Sequence, residues 1–335
     1  MSLSVGVDIG GTNIKIGLVD ETGRVLTRRR FSTDPIETVG NVLEKVARTV
    51  QSLVRDRQVE SLGVGVAGLV DHQSGFVFTS PNLPNWHKAP VKEVLTKLTR
   101  MNVAVGNDAN AVALGEWLFG AARNYQHALC ITLGTGIGTG VIADSRLLLG
   151  ANHFAGELGH TIINPNGPRC SCGKQGCLER YVGAEGIITR CRRALRQQQK
   201  RINASRNQLT IFGDGGERLS MIFDLVKYNL RRLTTKEIGR AAVKGDKIAR
   251  QITEETGTIL GLGIYNALML LDPEIVVLGG GVSRMGKPLL RAVERAVLNR
   301  IYGTNRQVKI VLSRLGDDAG ILGASQLPKL KLNNG

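Results

Sequence analysis

No run of about 18 unbroken apolar residues occurs anywhere in this 335-residue chain, which argues against a membrane-spanning helix. No apolar stretch near Met1 is long enough for a secretion signal, and five cysteines is an odd number, so a secreted disulfide framework is not expected. A reducing cytoplasm is the simplest setting. Acidic residues are scarce, 28 against 44 Lys and Arg, for a formal charge of +16. Such an excess usually suggests a polyanionic partner, but here it is local. From Arg190 to Arg250, 16 basic residues stand against 5 acidic ones, with only Phe212, Phe223 and Tyr228 as aromatics. That pattern fits a solvated helical surface better than a nucleic-acid groove; neither DNA nor a membrane is expected as a partner. Within it, "RRALRQQQKRINASRNQ" (192–208) is the least core-like stretch and is read as a loop. The basic segment 192–236 receives no role.

What is present is glycine, 42 residues of it, with 42% apolar content, a composition suited to a packed α/β protein. "LSVGVDIGGTNIKIGLVDETGRVL" reads as strand, glycine turn and strand. Apolar residues at Val39, Val42, Leu43, Val46, Val50, Leu53 and Val54 recur at helical spacing within 36–57. A strand at 61–71 follows, and strand, helix, strand in that order implies an α/β sheet. "NVAVGNDANAVALGEWLFG" turns from strand to helix at Gly106 to Asp108, and "ALCITLGTGIGTGVIADSRLL" repeats the opening plan, which suggests two lobes made by duplication. Later come a helix ended by Asp272-Pro273, a buried strand opening onto the glycines of "LGGG", and a short closing helix in 316–327 packed back on the first lobe.

The glycine turns lack the G-x-x-x-x-G-K-[ST] pattern, and neither opens a helix as a dinucleotide fingerprint would. Gly10 and Gly11 nevertheless let backbone N–H groups approach phosphate oxygens, Thr12 adds a hydroxyl, and Asp8 at the strand end is placed to hold Mg²⁺. Thr135 is the counterpart hydroxyl of the second turn. One such turn is ordinary; two, with "LGGG", point to a nucleotide clamped between lobes. Phosphoryl transfer also needs a proton acceptor. Asp108 fits that role at a sheet edge, and it fits equally well as a helix N-cap, as does Asn107.

Cys170, Cys172 and Cys177 have the order C-x-C-x4-C, with His160 ten residues upstream. A Cys3His set suits tetrahedral structural Zn²⁺. A C-x-x-C redox pair is absent, and a disulfide between Cys170 and Cys172 would be strained. Buried free thiols are the alternative, and Cys130 and Cys191 are read as ordinary core thiols. A metal pinned here would also fix Glu157 and Glu179, two carboxylates able with Asn107 and Asn82 to grip the hydroxyls of a sugar.

"DIGGTNIK", "AGLVD", "GNDANAVALGE", "LGTGIGTG", "AGELGH", "CSCGKQGCLE" and "LGGGV" together resemble the ROK family of sugar kinases and sugar-responsive repressors. The resemblance implies an actin-like, hexokinase-like (ribonuclease H-like) two-lobed α/β fold with a zinc-binding loop, taking ATP, Mg²⁺ and a hexose in its cleft. It implies a small lobe of 1–112 plus 316–335 and a large lobe of 113–315, with a homodimer or higher homo-oligomer common in the family. Asp108 would be the catalytic base. Asn107, Glu157, His160 and Glu179 would be sugar contacts, with Asn82 a further one. His160, Cys170, Cys172 and Cys177 would hold zinc, His160 turning its other ring nitrogen to the sugar. Asp8, Gly10, Gly11, Thr12, Lys15, Gly134, Thr135, Gly136, Gly279, Gly280 and Gly281 would hold the nucleotide and its metal. "SPNLPNW" and "AGELGH" look most like the glucokinase branch, and only seven residues precede Asp8, so the repressors' helix-turn-helix is not expected. Glucose is the expected sugar, with mannose, fructose, N-acetylglucosamine and N-acetylmannosamine as alternatives; polyphosphate as donor ranks low.

Overall fold

The computed structural model describes residues 2–80, 83–208, 218–301 and 307–330. Among these, the strands form two five-stranded sheets and a small three-stranded one. The first sheet comprises β1 (Leu3–Ile9), β2 (Asn13–Asp20), β3 (Val25–Ser32), β4 (Ser61–Val66) and β8 (Asn102–Asn107), ordered β3-β2-β1-β4-β8. The second comprises β9 (Ala128–Leu133), β10 (Ile137–Ala143), β11 (Arg146–Leu147), β12 (Ile275–Gly279) and β13 (Lys309–Leu312), ordered β11-β10-β9-β12-β13. Both begin with an antiparallel hairpin around a glycine turn and add two parallel strands on the other side. The duplication expected from the sequence is therefore present in strand order as well as in the echo of the turns. Between β4 and β8 lie β5 (Leu69–Val70), β6 (Phe76–Thr79) and β7 (Ala89–Pro90), which form the small sheet.

Helices cover the sheets. In α1 (Val39–Val54), Thr38 caps the first turn by accepting from Asn41 N–H, and Val42, Leu43, Val46, Ala47, Val50 and Leu53 are buried. That is the stripe read from the sequence, and each fully buried Val or Leu contributes roughly 1.5–3 kcal/mol. The remaining helices are α2 (Val91–Thr99), α3 (Asp108–Phe119), α4 (Glu179–Val182), α5 (Ala184–Gln208), α6 (Ile222–Leu225), α7 (Thr235–Val243), α8 (Lys247–Leu271), α9 (Gly280–Ser283), α10 (Lys287–Leu298) and α11 (Ala319–Ala324). The stretch 192–208, read as a loop, is the C-terminal part of α5. Its anchoring positions Ile187, Cys191, Leu195 and Gln198 are buried at helical spacing, hidden in the sequence among arginines and glutamines.

Two features place the site. The closing helix α11 lies directly on the first sheet, as expected from the sequence: a Cβ at Gly6 would stand 1.9 Å from Ile321 O, and one at Gly63 would stand 1.7 Å from Ala324 O. Only glycine permits that approach. Helix α3 is wedged between the sheets, with Ala109 and Ala113 against Gly138 and Gly140 of β10 and Ala111 against Gly65 of β4. Small residues on both faces let one helix serve both halves, and its first residue is Asp108.

Candidate active site

The parallel strands β1, β4 and β8 end in register at Ile9, Val66 and Asn107, so the segments leaving the three strands meet at one sheet edge. Sequence alone left Asn107 and Asp108 as equal candidates for the α3 cap; the structure separates them. Asn107 is the cap, its Oδ1 accepting from Ala109 N–H at 2.9 Å and Asn110 N–H at 3.1 Å. Its Nδ2 donates to Gly68 O at 2.9 Å. Asp108 stands as the first helical residue, and its Oδ1 also accepts from Ala109 N–H at 2.9 Å, so the two side chains share that donor. Loss of water around its carboxylate, followed by the nearby charge of Asp8, pushes its pKa up to about 7, with Glu157 adding a smaller push. A carboxyl poised near neutrality is suited to accept a proton.

Asp8, next to last in β1, pairs with Lys15, whose Nζ lies 3.4 Å from Asp8 Oδ2 and donates to Asp317 O at 3.3 Å. Burial raises the Asp8 pKa against the opposing pull of Lys15, and the charge of Asp8 acts in turn on Asp108. Beyond it, Gly10 N–H donates to Asn13 O and Thr12 is exposed at the tip of the turn. In the second turn Gly134 N–H donates to Gly136 O, and Thr135 is exposed. Gly279 pairs with Thr132 beside that turn, and Gly280, at φ +82°, lies against the backbone of Leu133. The structure thus brings Gly134–Gly136 and Gly279–Gly281 together at the edge of the second sheet.

The cysteine loop closes the other side. His160, Cys170, Cys172 and Cys177 present ligand atoms that all lie within 4.8 Å of one another. Cys172 Sγ and Cys177 Sγ are 3.6 Å apart, and Cys170 Sγ lies 3.7 Å from His160 Nδ1. Tetrahedral zinc with Zn–S of about 2.3 Å requires sulfur–sulfur edges of about 3.8 Å, so the donor set fits. Burial, then the neighbouring thiols, hold the Cys177 thiol well above its ordinary pKa, a state that a bound divalent cation reverses. The other ring nitrogen of His160, Nε2, faces Glu157 at 3.9 Å. Glu157 is half-exposed, its pKa raised by burial and by Glu179 against the pull of His160. Glu179 opens α4, and its Oε2 accepts from Ile137 N–H at 3.0 Å while Oε1 lies 3.7 Å from Cys170 Sγ. One carboxylate thus spans the cysteine loop and the second glycine turn.

Asn82 lies outside the described residues. Cys130 and Cys191 are buried core thiols with raised pKa values, as read from the sequence. Sequence reasoning passed over three side chains that converge on Asn107 or its neighbours: Asp71, His72 and His153. No spacing rule connects segments 80 residues apart, and only the ending of "AGLVD" at Asp71 hinted at them.

This α/β fold thus combines paired glycine hairpins, a buried carboxyl at the head of the helix between the two sheets and a Cys3His cluster. The chain belongs to the ROK family, whose model matches residues 4–331. It is 35% identical to a glucokinase of Thermotoga maritima over 334 residues, covering 98% of each chain. It also resembles the crystal structure of a ROK family glucokinase from Streptomyces griseus in complex with glucose and AMPPNP, with a TM-score of 0.81 and 32% identity over 97% of this chain and 99% of that one. A xylose repressor of Bacillus subtilis is 28% identical, matching 97% of this chain and 76% of the repressor. The fold class expected from the sequence is thereby established. Among the described residues, no helix is long and apolar enough to cross a membrane.

Proposed function

We propose that this protein transfers the terminal phosphoryl group of ATP to the 6-hydroxyl of a hexose, with glucose as the preferred acceptor. The observation that carries this reading is Asp108, a carboxyl at the head of the helix between the sheets whose pKa burial and the charge of Asp8 push up to about 7 even though its Oδ1 accepts from Ala109 N–H. In this reading Asp108 takes the proton of the attacking hydroxyl. Asn107, Glu157, His160 and Glu179 accept from or donate to the other hydroxyls, each of which costs free energy if buried unpaired. The turns at Gly10–Thr12 and Gly134–Gly136, with Gly279–Gly281, take the phosphates through N–H groups other than those of Gly10 and Gly134, which bond within the turns. Asp8 and Lys15 flank the point where charge develops, and Mg²⁺ held by Asp8 would supply charge neutralisation there. Zn²⁺ held by His160, Cys170, Cys172 and Cys177 would fix the loop that carries Glu157 and Glu179.

The division into a small lobe (1–112 plus 316–335) and a large lobe (113–315) belongs to the same proposal, with closure excluding water from the phosphoryl group. Homodimerisation, common in the family, is part of it too. The test is release of ADP with ATP and Mg²⁺ against glucose, mannose, fructose, N-acetylglucosamine and N-acetylmannosamine. Turnover confined to glucose supports the full reading, turnover of another sugar relocates the specificity, and no turnover of any sugar contradicts it. The similarity to a repressor motivates a second reading, a sugar-responsive regulator. Salt-dependent DNA binding by the purified protein would favour that one.

A further inference from the structure

The candidate site residues come from different halves of the chain. Asn107 and Asp108 follow β8 of the first sheet, whereas Glu157 and His160 follow the 149–156 loop that leaves β11 of the second. One cluster joins them. His153 in that loop places Nδ1 2.8 Å from Asp71 Oδ1, and its ring meets His72 edge to face with centroids 5.8 Å apart. His72 is buried, 5% exposed, and its Nε2 accepts from Asn107 N–H at 3.4 Å. The segment that carries Asp71 and His72 also carries Gly68, whose carbonyl holds the Asn107 side chain. Phe154, next to His153, meets Phe78 of β6 edge to face at 6.4 Å, a second ring contact across the same seam.

The backbone shows that His153 is held there. It sits at φ +61°, a left-handed conformation uncommon for a residue with a Cβ, and such strain persists only where the surroundings impose it. The loop is fixed at its base by Ala155 N–H donating to Leu149 O, and Gly156 lies against the backbone of Thr139. Three residues of separation then connect the imposed conformation at His153 to Glu157.

We propose that Asp71, His72 and His153 form a positioning strut between the loop before Glu157 and the end of β8, so that seating Glu157 and His160 on a sugar also fixes Asn107 and, through it, Asp108. None of the three touches the reacting atoms; His153 acts through Asp71 and His72, and His72 acts through Asn107. The kinetic consequence rests on the kinase reading above, but the mechanical one does not. Loss of the strut lowers both sugar affinity and the fraction of bound sugar correctly oriented, leaving the nucleotide side alone.

The experiment compares His153→Ala, His153→Gln, Asp71→Asn and the His153→Ala/Asp71→Asn double variant in the full-length protein. Steady-state kinetics with ATP–Mg²⁺ and the best sugar is one readout; amide hydrogen exchange of the 103–112 segment in the sugar-free protein is the other. Expected for His153→Ala is a fall in kcat/KM for sugar of roughly tenfold, shared between KM and kcat, with the KM for ATP unchanged. His153→Gln, which keeps a donor for Asp71, recovers most of that loss, and the double variant is no worse than the poorer single one. Exchange at residues 107–110 accelerates in His153→Ala while that of β9 and β10 stays unchanged. Additive losses, or wild-type kinetics with unchanged exchange, would overturn the strut. If the wild-type protein phosphorylates no sugar, the kinase reading fails by itself, and the exchange result alone decides the strut. Asp71 also accepts from Gln73 N–H and Ser74 Oγ, so a misfolded Asp71 variant leaves the decision to His153.

Discussion

The two glycine hairpins share a backbone plan and differ in the charge around them. The first, β1 to β2, carries its own charges: Asp8 on one strand and Lys15 opposite it on the other. The second, β9 to β10, has threonines at 132, 135 and 139 and borrows a carboxylate, Glu179, from the cysteine loop to satisfy Ile137 N–H. A duplicated scaffold has thus been divided. One turn stands beside Asp8 and Asp108, the carboxylates proposed to handle the cation and the proton, and the other is coupled through Glu179 to the candidate zinc and sugar residues. The difference explains why the cysteine loop is in the middle of the chain: it comes directly after the hairpin it has to supply.

The comparison is broken most severely at Asp8. Asp8→Asn removes the carboxylate from the first turn and should cut turnover about 10²- to 10³-fold, measured by ADP release. Because Asp8 is the leading charge holding the Asp108 pKa up, the acid limb of the residual activity should move to lower pH. Next in size is the metal. Chelation, or Cys177→Ser, should strip zinc and cost on the order of 10- to 100-fold in sugar turnover, while far-UV circular dichroism is retained. Intact activity in metal-free protein would detach the cysteine loop from function. Smaller still is Gly136→Ala: its Cβ would stand 2.4 Å from Glu179 Oε2, so Glu179 must shift, and the KM for sugar should rise severalfold. The corresponding change in the first turn, Gly10→Ala, meets only Asn13 O at 3.3 Å and should leave the sugar KM near wild type.

Stability provides a further contrast. A carboxyl whose folded pKa lies above its ordinary value binds more protons folded than unfolded, so its effect on stability becomes less favourable as pH rises from about 4 to about 7. Asp108→Asn should therefore raise the melting temperature above pH 7 and change it little near pH 4. Thermal melts at the two pH values distinguish this from a general packing effect.

Much of this was legible in the sequence because certain patterns have few physical solutions. Three cysteines in C-x-C-x4-C with a histidine upstream point to a metal, and glycines repeated at two strand ends point to backbone approaching something. The N-cap was not legible, since Asn107 and Asp108 are both good capping types and only geometry chooses. Helix α5 was misread because its buried residues are few and separated by long polar side chains, so its composition resembles a loop while its spacing does not. The contact of His153 with Asp71 was invisible for a different reason: it joins distant segments by one hydrogen bond and leaves no local signature.

The claim at the centre is that Asp108 is a proton acceptor tuned to neutrality by burial and by Asp8. The most direct measurement is kcat/KM for the sugar against pH, from 5.5 to 9 with ATP–Mg²⁺ saturating, since this quantity tracks groups of the sugar-free enzyme. The account predicts an acid limb governed by one group titrating at about 7 and loss of turnover in Asp108→Asn with sugar binding retained. A flat profile down to pH 5.5, or substantial turnover by Asp108→Asn, would contradict it.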